Sequence, residues 1–581
     1  MSVRAAMLVA CAALSSGLPA AHAEVPPVVT TGQTGVSTAV PDVPVPPGTP
    51  CVVPLFTGQQ FIGFNPVSFN YTPPAGCPGP WAKVVLQADY SVNAGRQFDR
   101  TASIWIGGVN VYFGTTQEPS AAIAPNWHVE RDLTDYSALL RSSTGGRTIL
   151  GNVVDSTYTG IITGSARLVF YPGQAHDLPD RVIALSSNPD GDYNYVHSGS
   201  ERVGRTLTFP RNMTAVYMDV IAQSQSSDEF WQLCVPDSVA DELYSCGGSG
   251  FRQTVVYIDG VPAGVAPVYP WIYTGGISPA LWRPIPGVQT LDFEPFRVNL
   301  TPFAAVLNDG NPHDVQLGVV NSGDYFATAA NLLVYQDPAR AVVTGRLVAN
   351  SLVADPGQDD VITHPGSDRT VVSTRSQREF GISGYVDTST GRIATGVRQS
   401  VDFLSVQDFT ISDTQYRQTL QQDTTVDTTT TTTRGAQAVV TKRRYDFPLS
   451  FDYNDRYQDD GSETLDMRGD QGYSRQRSVA ATSRVAYQDV LSDRVTPHVT
   501  YNWDADGNLT ITPWTSAEDY RFGNSLGQCY SRQIASDNYD VTSVVNGDGC
   551  VGGNHYTWLT PAPGTLAPFG LDTTEAATWS W

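Results

Sequence analysis

The sequence predicts an all-β protein: two tandem jelly-roll β-sandwiches packed side by side, followed by a C-terminal β-rich domain. Three observations carry this expectation. Gly and Pro are plentiful at 52 and 39 residues, Trp and Tyr are frequent, and long stretches with helical period are hard to find. At 581 residues the chain is too long for one core. Four segments in its first third recur in the same order further along.

The N-terminus reads as a secretory signal over residues 1–23. Arg4 gives a positive start, Ala6 to Leu14 an apolar stretch, and Ala21-His22-Ala23 a small-residue cleavage site. The apolar stretch is too short to span a bilayer, and no later run is long enough, so no membrane association is expected. Export follows, to the periplasm or the medium. Residues 24–45 form a Pro/Val/Thr-rich leader with the look of an extended linker.

Residues 46–175 make the first expected jelly roll. Val84 to Ala88 is a strand, and Ile104 to Val111 is a hairpin around Gly107-Gly108. Asp135 to Leu140 suits a helical turn, and Arg147 to Val154 and Ala166 to Tyr171 are further strands. Residues 176–339 repeat the pattern. Ala82–Ser91 is matched by Ala215–Ser224, Ile104–Val109 by Val256–Val261, Asp132–Leu140 by Asn299–Leu307, and Ile149–Val154 by Gln316–Asn321. The offset grows from 133 (215 minus 82) to 152 (256 minus 104) and 167 (299 minus 132), so the second copy carries extra loop. A duplicated unit of about eight short strands has the size of a sandwich or jelly roll.

Residues 340–581 form the C-terminal β domain. Polar alternation dominates there, and the threonine run Thr424 to Thr433 suits a long solvent-facing hairpin.

Six cysteines follow the signal, an even count that suits disulfides in an exported protein. The simplest pairing joins sequence neighbours: Cys51 with Cys77, Cys234 with Cys246, Cys529 with Cys550. The net charge of −22 argues against nucleic acid and anionic membranes. Only Lys83 and Lys442 are lysines, so few ion pairs would be forfeited in acid. Tolerance of acid, and an acidic optimum, are expected.

The duplication bears on chemistry. The loop after the first matched strand reads Arg96-Gln-Phe-Asp-Arg100 in copy one and Asp228-Glu-Phe-Trp231 in copy two. Side-by-side sandwiches would present Asp99 and Glu229 from equivalent corners of a shared cleft. Paired carboxylates suit general acid–base hydrolysis. Arg96 and Arg100 flank Asp99, and the faces of Trp231 and Trp282 suit sugar stacking, whereas Trp105 reads as core packing. Other chemistries lack support. Gly-x-Ser-x-Gly is absent, the histidines are scattered without His-Glu-x-x-His, and no phosphate loop occurs. No metal and no cofactor are expected.

The motifs Gly95-Arg-Gln-Phe-Asp-Arg100, Ile104-Trp-Ile-Gly-Gly-Val109, Trp127-His-Val-Glu-Arg-Asp132, Tyr257-Ile-Asp-Gly260 and Thr274-Gly-Gly-Ile-Ser-Pro279 resemble the peptide N-glycosidase A family. The likeness runs from about residue 45 to 337. A more distant similarity is to peptide N-glycosidase F, two jelly rolls with a site at their interface. The resemblance implies hydrolysis of the amide between asparagine and the innermost N-acetylglucosamine of N-linked glycopeptides and glycoproteins, without a metal. It places the catalytic acid on Asp99, matching Phe98-Asp99-Arg100, and a second on Glu229. It puts a third carboxylate on a strand near Val154-Asp155, here Asp155. Asp99 would activate water, Glu229 would hold the water or the amide, and Arg100 would position Asp99 or stabilise developing charge. A monomer is expected. A glycosidase cleaving between sugars, or a carbohydrate-binding module without catalysis, are the alternatives.

Overall fold

The computed structural model describes residues 35–558 except 176, 482 and 483, with no side-chain detail at 484–486. The secretory signal, the leader as far as residue 34 and residues 559–581 of the expected C-terminal domain lie outside the described residues.

The first roll is built from β1 (Cys51–Phe61), β2 (Val67–Tyr71), β3 (Trp81–Val92), β4 (Thr101–Ile106), β5 (Val109–Thr115), β6 (Asn126–Asp132), β7 (Thr144–Leu150) and β8 (Ile162–Pro172). They form two four-stranded sheets, ordered β1-β8-β3-β6 and β2-β7-β4-β5. The second roll uses β9 (Arg181–Ala184), β10 (Asn194–Val196), β11 (Val203–Thr208), β12 (Met213–Gln225), β13 (Gln253–Ile258), β14 (Val261–Pro267), β15 (Phe296–Asn299), β16 (Pro312–Val320) and β17 (Tyr325–Gln336). Its sheets are ordered β10-β17-β12-β15, with β9 also on β17, and β11-β16-β13-β14. Strand for strand this repeats the first order, so the recurring segments occupy equivalent positions. All ladders are antiparallel, as jelly rolls require.

Local residues explain the hairpins. Gly107 and Gly108 sit at φ +55° and +82°, so the two-residue turn between β4 and β5 takes the doubly left-handed form that matches strand twist. The helical expectation at Asp135–Leu140 becomes two short 3₁₀ turns, Thr134–Tyr136 and Leu139–Arg141. The strand expected to run to Val154 ends at Leu150 instead. Beyond Gly151, the Asn152 amide ties the chain to the carbonyls of Phe61 and Gly160 and turns it out of the ladder.

The rolls pack side by side through polar as well as apolar contacts. Asn110 and Asn331 exchange bonds, Asn110 N–H donating at 3.1 Å and the Asn331 amide donating back at 2.8 Å. Arg297 of the second roll bridges Asp219 of its own roll and Asp135 of the first, both at 2.7 Å. A buried guanidinium between two carboxylates satisfies the charges that removal from water would otherwise leave exposed to a low dielectric.

Beyond the rolls, residues from Thr344 to Asn546 form a 12-stranded antiparallel sheet. Its inner face joins the second roll's core, with Phe380, Ile382, Val426 and Phe447 packed alongside Leu300 and Phe303. The threonine run lies inside the strand Gln415–Arg434, which is paired on both sides over the run rather than standing as a free hairpin. Alternate residues, Thr424, Val426 and Thr430, are buried. The end of the leader is likewise no loose linker. Ala39 is fully buried, and Glu518 of the large sheet accepts hydrogen bonds from Ala39 N–H at 2.7 Å and Thr38 Oγ1 at 3.0 Å. Three disulfides, Cys51–Cys77, Cys234–Cys246 and Cys529–Cys550, follow the nearest-neighbour pairing.

Candidate active site

Two equivalent connections face each other where the rolls meet. The first joins β3 to β4 and carries Asp99; the second joins β12 to β13 and carries Glu229. Gln97 is the anchor of the first. Its buried amide donates to the carbonyls of Val153 and Gly160 at 2.8 and 2.9 Å, and its oxygen accepts from Arg100 Nη2 at 2.8 Å and Phe98 N–H at 3.1 Å. The rolls are stitched together beside the site. Gln223 and Gln225, near and at the end of β12, both donate to Thr101 Oγ1 at 3.0 Å.

Three carboxylates converge here. Glu118, just past β5, accepts the Asp99 N–H at 3.2 Å. Asp99 Oδ2 accepts the Gly275 N–H at 3.2 Å. Glu118 Oε2 is met by Arg283 Nη2 at 3.1 Å. Burial raises the carboxyl of Asp99, against the Gly275 N–H and the Arg100 guanidinium that favour its charge. Burial, then the charge of Asp99, pushes Glu118 up to about 7, although Arg283 pulls the other way. Glu229 is pushed up to about 7 by burial and by the charges of Asp99 and Glu118. Its carboxylate takes no hydrogen bond among the described residues. Asp99 therefore has a donor and a cation favouring ionisation, while Glu229 faces only like charge. Environments this different separate a base from an acid.

Gly275 is required by space. A Cβ there would lie 2.3 Å from Glu118 Oε1 and 2.9 Å from Asp99 Oδ1. Arg283 is itself held: its Nη2 also donates to the Pro119 carbonyl at 2.9 Å, and its Nη1 reaches Tyr539 Oη at 3.2 Å. Tyr539 sits at φ +76° in the turn between the last two strands of the large sheet, an uncommon conformation for a bulky side chain, with its ring edge-on to Trp514. The C-terminal sheet thus reaches the wall of the site.

The structure brings Asp99, Arg100 and Glu229 together and places three other residues differently from expectation. Asp155 is exposed, off the strand, and its Oδ1 accepts the N–H groups of Thr157 and Tyr158 at 2.7 and 2.8 Å. Those backbone bonds hold its carboxyl below the usual range, and the third carboxylate beside Asp99 is that of Glu118. Trp231 and Trp282 are almost wholly buried and offer no face to a sugar. Trp231 packs with Phe251, Phe326 and Phe403 beneath the large sheet. Trp282 lies behind the Gly275 loop, donating to the Gly276 carbonyl at 2.8 Å. Arg96, on the same loop as Asp99, is exposed, with its guanidinium 5.4 Å from the Tyr158 ring centre. The exposed ring is Phe98, 44% accessible, packed against Tyr158 with centres 5.3 Å apart.

Asp228, beside Glu229, has a different task. It is buried, pairs with Arg252 at 2.8 Å, and accepts the N–H groups of Gly323 and Asp324, each at 2.8 Å. Among the described residues no cluster of His, Cys, Asp or Glu has the makings of a metal site.

Glu118, Gly275, Arg283 and Tyr539 were not marked by sequence reasoning. Hairpin register could have brought Glu118 into view: counting out from the Gly107-Gly108 turn pairs Thr101 with Gly114, a register shift between Ile104 and Trp105 moves the partner to Thr115, and residues 116–118 follow beside Asp99. No sequence signal places Tyr539 there.

The family described as peptide N-acetyl-beta-D-glucosaminyl asparaginase amidase A matches residues 57–352. Over 541 residues, 87% of this chain and 91% of the relative, the chain is 28% identical to a peptide-N4-(N-acetyl-beta-glucosaminyl)asparagine amidase A of Prunus dulcis. Among solved structures, recombinant peptide N-glycanase F aligns at 12% identity and a TM-score of 0.32, covering 50% of this chain and 96% of that one. PNGF-II aligns at 11% identity and 0.35, covering 50% and 66%.

Proposed function

The chain belongs to the peptide N-acetyl-beta-D-glucosaminyl asparaginase amidase A family, and from that premise we propose how its carboxylates act and at what pH. It is a hydrolase of the amide that joins an asparagine side chain to the innermost N-acetylglucosamine of an N-glycan. Water adds to the amide carbonyl and the C–N bond breaks. The asparagine becomes aspartate, and the glycan leaves as a glycosylamine that loses ammonia in water.

Asp99 takes the proton from the attacking water. Burial raises its carboxyl, and the Gly275 N–H and the charge of Arg100 work against that and favour the carboxylate. Glu229, still protonated in mild acid, is the donor to the departing amide nitrogen. Glu118, pinned between the Asp99 N–H and Arg283, orients the water or the first sugar. The observation that carries this reading is the pair of glutamates pushed up to about 7 facing an aspartate with its own donor and cation. It also sets the pH. Activity needs Asp99 ionised and Glu229 protonated, and the second condition is lost as pH rises through about 7.

Export is part of the proposal. Three disulfides suit an oxidising compartment. No described helix is long and apolar enough to cross a membrane.

A glycopeptide incubated across pH tests the reading. Release should peak below pH 7, with a mass gain of about one dalton at asparagine, the exchange of amide for acid. Asp99→Asn should lose about 10²–10⁴-fold in kcat, the usual range for a general base. Near-normal release by that variant, or cleavage between sugars instead, overturns the assignment.

A further inference from the structure

We propose that an aromatic ledge on the second roll, formed by Tyr195, His197 and Tyr325, binds a sugar of the glycan beyond the innermost one. The proposal rests on the amidase reading and extends it to the sugar chain.

The ledge grows out of the interface between the rolls. Tyr195 is the middle residue of edge strand β10, and Tyr193 and His197 lie just beyond its two ends at the alternate positions that share its face. Tyr193 is buried on that face, its hydroxyl 2.6 Å from Ser103 of β4 in the first roll. Moving outward along β10 leads to Tyr195, which is 42% accessible, and to His197, which is exposed. On the neighbouring first-roll strand, moving from Ser103 leads to Thr101 and then Asp99. Cross-strand register fixes the rest of the face. Tyr195 lies opposite Ala327, Ala327 opposite Gln223, and Tyr325 opposite Gln225. Ala327 and Gln223 are buried, whereas Tyr325, Gln225 and Thr101 are half-buried, and Gln225 is bonded to Thr101, so the partly exposed path from the ledge to the catalytic loop runs through Tyr325 and Gln225.

A second connection ties the ledge to Glu229. Asp324, next to Tyr325, accepts the N–H and hydroxyl of Ser227, both at 3.3 Å, and Ser227 is two residues from Glu229. The charge of Glu229 contributes to raising the Tyr325 hydroxyl. The rings support one another. Tyr195 and Tyr325 meet edge-on at 5.8 Å, and His197 lies 6.3 and 5.8 Å from them.

Position and chemistry choose the occupant. Two strand spacings, roughly 10 Å, separate Tyr195 from Gln223. The innermost sugar is held at the carboxylates, so a platform that far off meets a later sugar. An exposed tyrosine presents an apolar face and a hydroxyl at its rim, as a pyranose needs. Neither Trp231 nor Trp282 can do this, being buried.

The test compares two glycopeptides sharing one peptide, one bearing a single N-acetylglucosamine and the other a longer core oligosaccharide. In Tyr195→Ala the ratio of kcat/KM, long over single, should fall at least about tenfold below wild type, the loss expected when an anchoring tyrosine is truncated. An unchanged ratio overturns the proposal. Calorimetric titration with free core oligosaccharide needs no turnover: Tyr195→Ala should bind at least about tenfold more weakly than wild type, and equal affinity overturns it. If wild type released no glycan, the amidase reading would fall while this titration still decided the ledge.

Discussion

Gly275→Ala isolates the placement of the carboxylates from everything else in the site. The added methyl would sit 2.3 Å from Glu118 Oε1, where an ordinary contact begins at 3.4 Å, so Glu118 must retreat by about 1.1 Å (3.4 minus 2.3). Asp99 Oδ1 must move by about 0.5 Å (3.4 minus 2.9). Neither can move freely. Glu118 is bonded to Arg283 at 3.1 Å and to the Asp99 N–H at 3.2 Å, and Asp99 to Gly275 itself. A displacement of about 1 Å in a catalytic group costs on the order of 10²-fold in rate, or about 2.7 kcal/mol of barrier.

The backbone does not object to the substitution, because Gly275 is outside the left-handed region. Alanine at a compatible site narrows the unfolded ensemble and stabilises by about 0.4–1 kcal/mol, offsetting part of the clash. Steady-state assays on a glycopeptide should therefore show kcat/KM down about 10²-fold. The melting temperature should stay within about 3 °C of wild type. Activity within threefold of wild type would refute the argument that these two carboxylates must stand where they do. A large fall in melting temperature would refute the claim that the clash is local.

The remaining predictions concern charge. Glu118 and Glu229 have folded values raised from 4.5 to about 7, so their contribution to stability is complete below pH 4.5 and lost as pH rises through 7. Asp99→Asn removes a charge that raises both, so its melting temperature should fall less between pH 4.5 and pH 8 than that of wild type; an equal fall would show that the three groups do not interact. Tyr539→Phe deletes the hydroxyl on Arg283, loosening the cation that pulls Glu118 down. A Glu118 that stays protonated to higher pH lends less charge to Glu229, so the pH–rate profile should fall off at lower pH than wild type, with kcat/KM reduced several-fold and the melting temperature unchanged; a profile identical to wild type would mean that the large sheet only covers the site. Asp228→Asn leaves Arg252 buried without its counter-charge and should cost about 3–5 kcal/mol of stability by chemical denaturation; a loss below 1 kcal/mol would show that the two N–H bonds to Asp228, not the ion pair, hold the loop.

What could be read from the sequence is what local pattern and repetition encode. The duplicated segments fixed the equivalence of β3 with β12 and β4 with β13, and hence of the two connections that carry Asp99 and Glu229. Glycine pairs marked the turn at Gly107-Gly108 because only a residue tolerant of left-handed φ closes a two-residue hairpin there. Tryptophan was misread because its chemistry is the same in a core and on a platform. Trp231 is hidden by Phe403 and its neighbours from a sheet more than a hundred residues away, and only coordinates show the cover. Asp155 was named because the resemblance puts a carboxylate on a strand near Val154-Asp155, and here that strand ends earlier, at Leu150. Asn152 stops it, through a side-chain bond no periodicity records. Glu118 was within reach of register counting; Tyr539 was not. Its arrival beside Arg283 depends on the large sheet packing on the second roll, where Trp514 donates to the Ala280 carbonyl and Tyr539 meets Arg283, so the wall of the site is closed by the part of the chain whose sequence says least about catalysis.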